Sequence, residues 1–174
     1  MRWLIARPIL EKMPINTPKS YSLDAGAVIG LNHHYPADLF PDLWPQLDAV
    51  AQSGRMSMAR EAIREVERKA DGANTWIQRH KARIQDPQPD DTFTVAMVTP
   101  ELRDLIDPDA TVPEGDPFVV ALAKRDSLTV LTTETRRGGA RKVPKVCSSL
   151  SIPCMGLVEL FREEGWKFRL DHLQ

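Results

Sequence analysis

The chain has 174 residues, of which 42% are hydrophobic, enough to form one domain with its own core and without disulfide bonds or a structural metal. Its 23 basic and 24 acidic residues nearly balance, which excludes a global electrostatic field that attracts nucleic acid. Binding of a polyanion would therefore depend on a local cluster of basic residues.

The segment before Tyr21 is rich in proline and shows neither helical nor strand periodicity. Arg7-Pro8 interrupts its first apolar run, so we expect no export signal. No window holds the roughly 20 apolar residues that a membrane helix needs. We therefore predict a loosely ordered extension at 1–19, one domain at 20–168 and a tail at 169–174, in a cytoplasmic protein that does not enter a membrane.

From Tyr21 onward, short apolar segments alternate with longer segments of helical periodicity. The predicted strands are 21–24, 55–58, 128–132 and 152–155. The predicted helices start at 25 and 117, and span 40–51, 59–66, 71–84, 92–106 (in two pieces, the second from Pro100), 146–150 and 157–162. This alternation predicts an α/β fold, with a parallel β-sheet of four to five strands and helices on both faces.

Three acidic residues lie at equivalent places in this pattern. Asp24 ends the first strand, Asp116 precedes an apolar helix, and Glu134 follows the strand at 128–132. Ligands of open parallel sheets bind beyond the carboxyl ends of the strands, so we expect these side chains to converge. Carboxylates that converge repel one another unless a cation neutralises them, and Mg²⁺ and Mn²⁺ prefer oxygen ligands. The pattern therefore predicts a site for one or two such ions, suited to phosphodiester hydrolysis.

For Asp116 the sequence also allows a purely structural role. Asp is a common N-cap, and Pro117 would then occupy the first helical position. The helix that follows is apolar on all sides, which predicts a central location in the core. The residue types alone do not choose between a cap and a ligand.

The helix whose apolar side runs from Ala59 to Val66 carries three further acids. Glu61, Glu65 and Glu67 are explained most simply as a solvated face in which Glu61 and Glu65 pair with Arg64 and Arg68. A helical wheel places Glu65 and Glu67 on opposite flanks of the apolar stripe and Glu61 nearly opposite that stripe. Glu61 is therefore predicted to be the poorest candidate for a cleft, and periodicity does not choose between the other two.

The one local basic cluster surrounds two glycines after Glu134. It consists of Arg136, Arg137, Arg141 and Lys142. A solvated loop is the simplest interpretation, and contact with the phosphates of a polyanion is the functional one.

The remaining residues with metal or redox chemistry are few. His33 and His34 are adjacent, and side chains of adjacent helical residues point about 100 degrees apart, so we expect surface histidines rather than ligands. Cys147 and Cys154 lack the CxxC spacing of a zinc or redox site, and we expect reduced thiols, with a disulfide bond as the alternative.

Four of these motifs together resemble the acidic quartet of PIN-domain ribonucleases. They are Leu23-Asp24, Arg64-Glu65-Val66, the segment 115–123, and Thr132-Thr133-Glu134. The resemblance runs from Tyr21 to Phe168 and is greatest to the DUF4411 branch, which is similar to the VapC toxins of toxin–antitoxin pairs. Segments 35–41 with Trp44, 145–147 and 161–168 also resemble that branch.

The resemblance implies a PIN-like domain that cleaves RNA with Mg²⁺ or Mn²⁺. Asp24, Glu65, Asp116 and Glu134 would be the catalytic residues and the metal ligands, directly or through water, so that Glu65 is favoured over Glu67. It also implies an antitoxin partner and a homodimer. The alternative function is a catalytically impaired module that binds RNA or an antitoxin.

Two positions differ from the pattern that the resemblance implies. PIN proteins commonly follow the first acid with Thr and then Asn or Ser, whereas Ala25-Gly26 follows Asp24 here. Glu134 stands where Asp is common. The first difference removes a hydroxyl and a polar side chain that would orient Asp24.

Two other classes of protein are disfavoured by the residues that follow Asp24. A phosphatase of the haloacid dehalogenase type needs a second acid two residues after its nucleophile, where Gly26 stands. A nucleotide-binding Rossmann module needs a glycine fingerprint that Gly26 and Gly30 do not supply.

Overall fold

A computed structural model describes residues 18–69, 71–103, 105–106, 115–135, 137 and 142–168. The predicted extension, apart from Pro18 and Lys19, lies outside the described residues, and so does the predicted tail. In the described part of the chain, none of the helices has the length and hydropathy that crossing a membrane requires.

Four strands in the described residues form one parallel sheet. They are β1 (Tyr21–Leu23), β2 (Met56–Ser57), β3 (Thr129–Leu131) and β4 (Cys154–Met155). The order across the sheet is β2-β1-β3-β4, so β1 and β3 are central. Both central strands are buried along their whole length, which explains their continuous apolar sequences. The predicted α/β class with a parallel sheet between helices is confirmed.

Nine helices surround the sheet in the described part of the chain. They are α1 (Ala25–His34), α2 (Leu43–Gln52), α3 (Arg60–Glu67), α4 (Gly72–Ile84), α5 (Pro89–Val98), α6 (Pro100–Arg103), α7 (Asp116–Asp126), α8 (Val143–Ser149) and α9 (Leu157–Glu163). Helix α5 begins at Pro89 rather than Thr92, and α8 begins at Val143 rather than Val146. Both helices have proline in the first turn, where its missing N–H and fixed φ are tolerated, so each extends further back than its apolar period.

Helix α7 is the central helix of the core. Its residues 117–123 are all buried, and it contacts both central strands of the sheet as well as α3, α5, α6 and α8. The Ser22 hydroxyl of β1 donates a hydrogen bond to the Val119 carbonyl at 2.8 Å. The N-cap of α7 is Gly115, and Asp116 is the first helical residue, so the predicted N-cap position of Asp116 is wrong by one residue.

A buried ion pair connects the end of α4 to α7. The Asp86 carboxylate is inaccessible to solvent and accepts hydrogen bonds from the Thr92 hydroxyl at 2.5 Å and from Arg125 at 2.9 Å. The Asp86 N–H donates to the carbonyl of Met58 at 3.0 Å, beside a parallel bridge between Met58 and Gln85 that extends the sheet. This ion pair therefore holds the sheet edge at β2 to the central helix.

A second polar cluster joins the start of β1 to the end of α9. Arg55 donates two hydrogen bonds of 2.7 Å to the carboxylate of Glu164, and the Tyr21 hydroxyl donates a third at 2.5 Å. Charged bidentate pairs of this kind are among the stronger polar contacts in proteins. The last described helix is thus bound to the first strand at the amino end of the sheet.

Candidate active site at the carboxyl end of the sheet

Asp24 follows β1 directly and is only 5% exposed. Its backbone N–H donates to the carbonyl of Leu131 at 3.0 Å, which continues the pairing between β1 and β3 by one residue. Its carboxylate accepts a hydrogen bond from the Thr132 hydroxyl at 2.6 Å and one from the Gly26 N–H at 3.2 Å. The side chain is therefore held both by α1, which it caps, and by the end of β3.

The electrostatic environment of Asp24 is unfavourable for its negative charge. Burial raises the pKa of this carboxyl above its ordinary value of 3.8, and the hydrogen bonds from Thr132 and Gly26 oppose that rise. The negative charges of Glu65 and Glu134 raise the pKa further. Two of the predicted site residues thus lie close enough to Asp24 to act on its ionisation.

Glu65 and Glu67, which the helical periodicity could not tell apart as candidates for the site, have different surroundings in the structure. Glu67 accepts hydrogen bonds from Lys81 at 2.5 Å and Gln78 at 2.9 Å, both on α4, and the Lys81 contact lowers its pKa. The negative charge of Glu65 instead raises the pKa of Asp24. Glu67 is therefore engaged by a neighbouring helix, and Glu65 belongs to the group at the carboxyl end of the sheet.

The helical-wheel prediction for Glu61 is wrong. Glu61 is only 9% exposed and pairs with Arg60 at 3.2 Å, rather than with Arg64 as expected. The wheel assumed one buried stripe, whereas α3 contacts α1, α4 and α7 and is covered on more than one side. Glu61 is the most buried of the three glutamates on this helix.

Asp116 is positioned by the close contact of α7 with α3. A Cβ atom added to Gly115 would lie 3.0 Å from the Ala62 Cα, so the start of α7 lies directly against α3. Ala62 and Glu65 are three residues apart and share one side of that helix. The contact therefore brings Asp116 to the side of α3 that carries Glu65.

Glu134 is held by the start of α8. Its carboxylate accepts a hydrogen bond from Lys142 Nζ at 2.6 Å and one from the Val143 N–H at 2.8 Å. The hydrogen bond to Glu134 raises the pKa of Lys142, and the charges of Glu134 and Asp116 raise it further. Lys142 thus links the third and fourth acids of the predicted quartet.

The predicted basic cluster is only partly described. Arg137 is exposed, and Lys142 has its charge paired with Glu134. Arg136 and Arg141 lie outside the described residues. A role for this cluster in holding RNA stays a prediction, and for Lys142 the structure adds a role in positioning Glu134.

No group of three or more His, Cys, Asp or Glu side chains in the described residues is arranged to hold a metal ion by itself. The four predicted acids nevertheless supply only carboxylate oxygens, the donors that Mg²⁺ and Mn²⁺ prefer. Mg²⁺ usually keeps several water ligands and takes only one or two carboxylates. The donor set therefore fits an ion held largely through water, and not a closed cage of protein ligands.

The difference at Gly26 has a structural explanation. A Cβ atom at this position would lie 3.1 Å from Asp24 Oδ2 and 3.1 Å from Thr133 Oγ1, closer than most real contacts. The hydroxyl that orients Asp24 comes instead from Thr132, 108 residues further along the chain. Thr132 lay in a recognised motif, but no local pattern indicated its contact with Asp24.

The remaining candidates behave largely as predicted. His33 and His34 are exposed. Cys147 and Cys154 do not form a disulfide bond, and a hydrogen bond between them together with burial raises the pKa of Cys147.

Thr132→Val should destabilise the metal-free protein by about 1.5–3 kcal/mol, the usual range for a hydrogen bond to a charged group. The variant keeps the side-chain shape but loses the bond to Asp24 and the one that the Glu134 N–H donates to Thr132 at 3.1 Å. Urea denaturation in EDTA measures the difference. Thr135→Val, at an exposed position, is the control and should change stability little; an equal effect in both variants would contradict the role of Thr132.

An open parallel sheet with carboxylates beyond the carboxyl ends of its two central strands makes this chain an α/β protein with a candidate site at that end of the sheet. A family model described as "Domain of unknown function (DUF4411)" matches residues 21–168, so the chain belongs to the DUF4411 family. No curated protein matches the chain. The DUF4411 part of the resemblance is thus confirmed over the predicted range, and the relation to PIN domains and VapC toxins stays a prediction.

Proposed function

We propose that this protein is a divalent-metal-dependent endoribonuclease of the PIN type, which hydrolyses RNA phosphodiester bonds. The observation that carries the proposal is Asp24, a buried carboxylate beyond the end of a central strand, whose pKa is raised by burial and by the charges of Glu65 and Glu134. Buried like charges are costly unless a proton or a cation compensates them. A cation site explains why a folded chain would retain this arrangement.

The proposed ligands are Asp24, Glu65, Asp116 and Glu134, and the proposed ion is Mg²⁺ or Mn²⁺. When bound, such an ion lowers the pKa of water and stabilises the negative charge that develops on the phosphate oxygens. Thr132 and Gly26 orient Asp24, and Lys142 with the Val143 N–H orients Glu134. Fixed carboxylates require little reorganisation when the substrate binds.

The resemblance to VapC toxins extends the proposal to the biological setting. The protein would be the toxin component of a toxin–antitoxin pair in the cytoplasm, held inactive by an antitoxin protein and able to form a homodimer. The described residues contain exposed apolar side chains on α5, among them Phe93, Met97 and Val98, that a protein partner would cover.

We expect the purified protein to cleave a pool of transfer and ribosomal RNA in the presence of Mn²⁺ or Mg²⁺ and to leave it intact in EDTA. Gel analysis of the RNA measures the reaction. Asp116→Asn is the variant that separates this activity from a contaminating nuclease, because it should abolish cleavage by the same preparation. Turnover that continues in EDTA, or that Asp116→Asn retains, would overturn the proposal.

One observation favours the alternative function, a catalytically impaired module that binds RNA or an antitoxin. Glu134 already has its charge paired with Lys142 and its second oxygen bonded to the Val143 N–H, so it has less capacity to bind an ion. This alternative predicts RNA affinity that persists in EDTA together with no cleavage in Mn²⁺. Cleavage in Mn²⁺ therefore distinguishes the two functions, and a separate binding measurement in EDTA tests the RNA affinity that the alternative requires.

A further inference from the structure

A groove of about 760 Å³ opens beside the acid site, and no function has yet been assigned to it. Its lining includes Thr132 and Glu134, which belong to that site, and it extends to the end of α1 and to α9. We name it the α1–α9 groove and define it by six lining residues: His34, Tyr35, Thr132, Glu134, Val158 and Arg162. Its volume is in the range of pockets that hold small organic ligands.

The apolar part of the groove presents a fixed aromatic ring. Tyr35 is half-buried, and its ring packs edge-to-face against Phe40 at 5.2 Å and Phe161 at 5.1 Å between centroids. Val158, which also lines the groove, is 46% exposed although it is a large apolar residue on α9. Because Tyr35 and Val158 both line the groove, a rigid ring and an exposed apolar side chain are available for contact with a planar base, with little loss of conformational entropy.

The charged part of the groove has a cation available for an external anion. Arg162 is exposed and has no ion-pair partner among the described residues, whereas its neighbours Glu163 and Glu164 pair with Lys19 and Arg55. A guanidinium binds phosphate oxygens through two parallel hydrogen bonds. Arg162 is therefore the group in the groove that is suited to a phosphate.

The carboxylates of the groove are already engaged within the protein. Glu134 pairs with Lys142 at 2.6 Å, and Glu159 accepts the Gly156 N–H at 2.6 Å. Their charges therefore oppose an incoming anion less than free carboxylates would. His34 is exposed at the end of α1 and adds a second group that can donate a hydrogen bond to a phosphate.

We propose that the α1–α9 groove binds one nucleotide of single-stranded RNA next to the phosphodiester that is cut at the acid site, an inference that rests on the proposed function. The base packs against Tyr35 and Val158, and the phosphate binds Arg162. A base can reach an aromatic ring only when it is unstacked from its neighbours, so the groove selects single strands over duplexes.

Direct binding in EDTA tests the groove separately from cleavage. A fluorescein-labelled single-stranded RNA is titrated with wild-type protein, Arg162→Gln and Tyr35→Leu, and fluorescence anisotropy gives each Kd. Arg162→Gln should weaken binding about tenfold or more. It should also lower the slope of log Kd against the logarithm of the salt concentration by about one. Tyr35→Leu keeps an apolar side chain but removes the ring, and should weaken binding about tenfold.

Arg83→Gln is the matched control. Arg83 is an exposed arginine on α4, a helix that contacts β2 at the opposite edge of the sheet from β4, and the substitution removes the same charge. It should leave the Kd within about twofold of wild type, since exposed charges far from a site are largely screened. A duplex RNA of equal length should bind more weakly than the single strand.

The outcomes separate the groove from the nuclease. Weaker binding by Arg162→Gln and not by Arg83→Gln supports the groove, even when Mn²⁺ produces no cleavage and the nuclease proposal fails. Wild-type affinity in Arg162→Gln, equal losses in both arginine variants, absence of RNA binding, or equal affinity for duplex overturns the groove. The results in which RNA still binds are compatible with a working nuclease that holds its substrate elsewhere, and absence of binding in EDTA is compatible with one that binds RNA only together with the metal.

Discussion

Asp24→Asn should abolish the proposed manganese-dependent cleavage, with a loss of at least about a hundred-fold, the size seen when one preorganised electrostatic group is removed. Thr132 and Gly26 donate to different oxygens of the carboxylate, so the single amide oxygen keeps the bond from the Gly26 N–H, and the amide NH2 takes the place of the oxygen that Thr132 contacts. The Thr132 hydroxyl can rotate to accept from that NH2, so the local geometry should persist. It removes the negative charge that burial and the charges of Glu65 and Glu134 make unfavourable. The variant should therefore be at least as stable as the wild type in EDTA.

Two measurements on the same preparations check this expectation. Cleavage of labelled RNA in Mn²⁺ gives the activity, and urea denaturation in EDTA gives the free energy of unfolding. Asp91→Asn, at an exposed position in α5, is the control for loss of one negative charge and should change neither quantity. Full activity in Asp24→Asn would contradict a catalytic role of Asp24, and lower stability of the variant in EDTA would contradict the unfavourable charge of this carboxylate.

Arg125→Met should have the largest effect on stability, lowering the free energy of unfolding by about 3–5 kcal/mol at neutral pH, because it leaves a buried carboxylate without its cation. Burial alone would raise the pKa of Asp86, but hydrogen bonds from Thr92, Arg125 and the Gln88 N–H hold it below its ordinary value of 3.8. In the variant the carboxylate loses the partner that makes its charged form favourable.

The pH dependence follows from the sign of that shift. Because the pKa of Asp86 is lower in the folded protein than in the unfolded chain, its ionisation stabilises the fold above pH 3.8, and this stabilisation is lost as the pH falls through the lower folded value. The difference between wild type and Arg125→Met should therefore be largest at neutral pH and smaller below pH 3.8. Guanidinium chloride denaturation of both proteins at neutral pH and below pH 3.8 measures this difference in the free energy of unfolding.

Lys124→Met is the matched control for this prediction. Lys124 precedes Arg125 on the same helix and is exposed, and the same substitution there should change stability by less than about 0.5 kcal/mol. A difference of less than about 1 kcal/mol between Arg125→Met and Lys124→Met would contradict a stabilising role of the buried pair.

The sheet and the core helix could be predicted because their signals are local. Apolar runs at β1 and β3 indicate strands buried on both faces, and the apolar segment after Pro117 indicates a central helix. The positions of Asp24 and Glu134 beyond those strands follow from the topology of a parallel sheet. The helix starts at Pro89 and Val143 were missed because in each helix the apolar period begins about one turn after the first residue with helical backbone geometry.

The contacts that complete the site could not be predicted, since each joins distant parts of the chain. Glu61 is buried because three helices cover α3, which a wheel of a single helix cannot represent. Glu67 differs from Glu65 because Lys81 on α4 binds it. The contact of Thr132 with Asp24 likewise depends on the register of β1 against β3.

The pairing of β1 with β3 also has a consequence for biosynthesis. The two strands are 108 residues apart at the contact between Thr132 and Asp24, and the Tyr21 hydroxyl meets its partner 143 residues later. A ribosome must therefore release most of the polypeptide before the first strand acquires its central neighbour, and contacts of such long range form slowly. Nascent or prematurely terminated chains that lack β3 cannot bring Thr132 and Glu134 to Asp24, so a translation product that stops early would lack the candidate site.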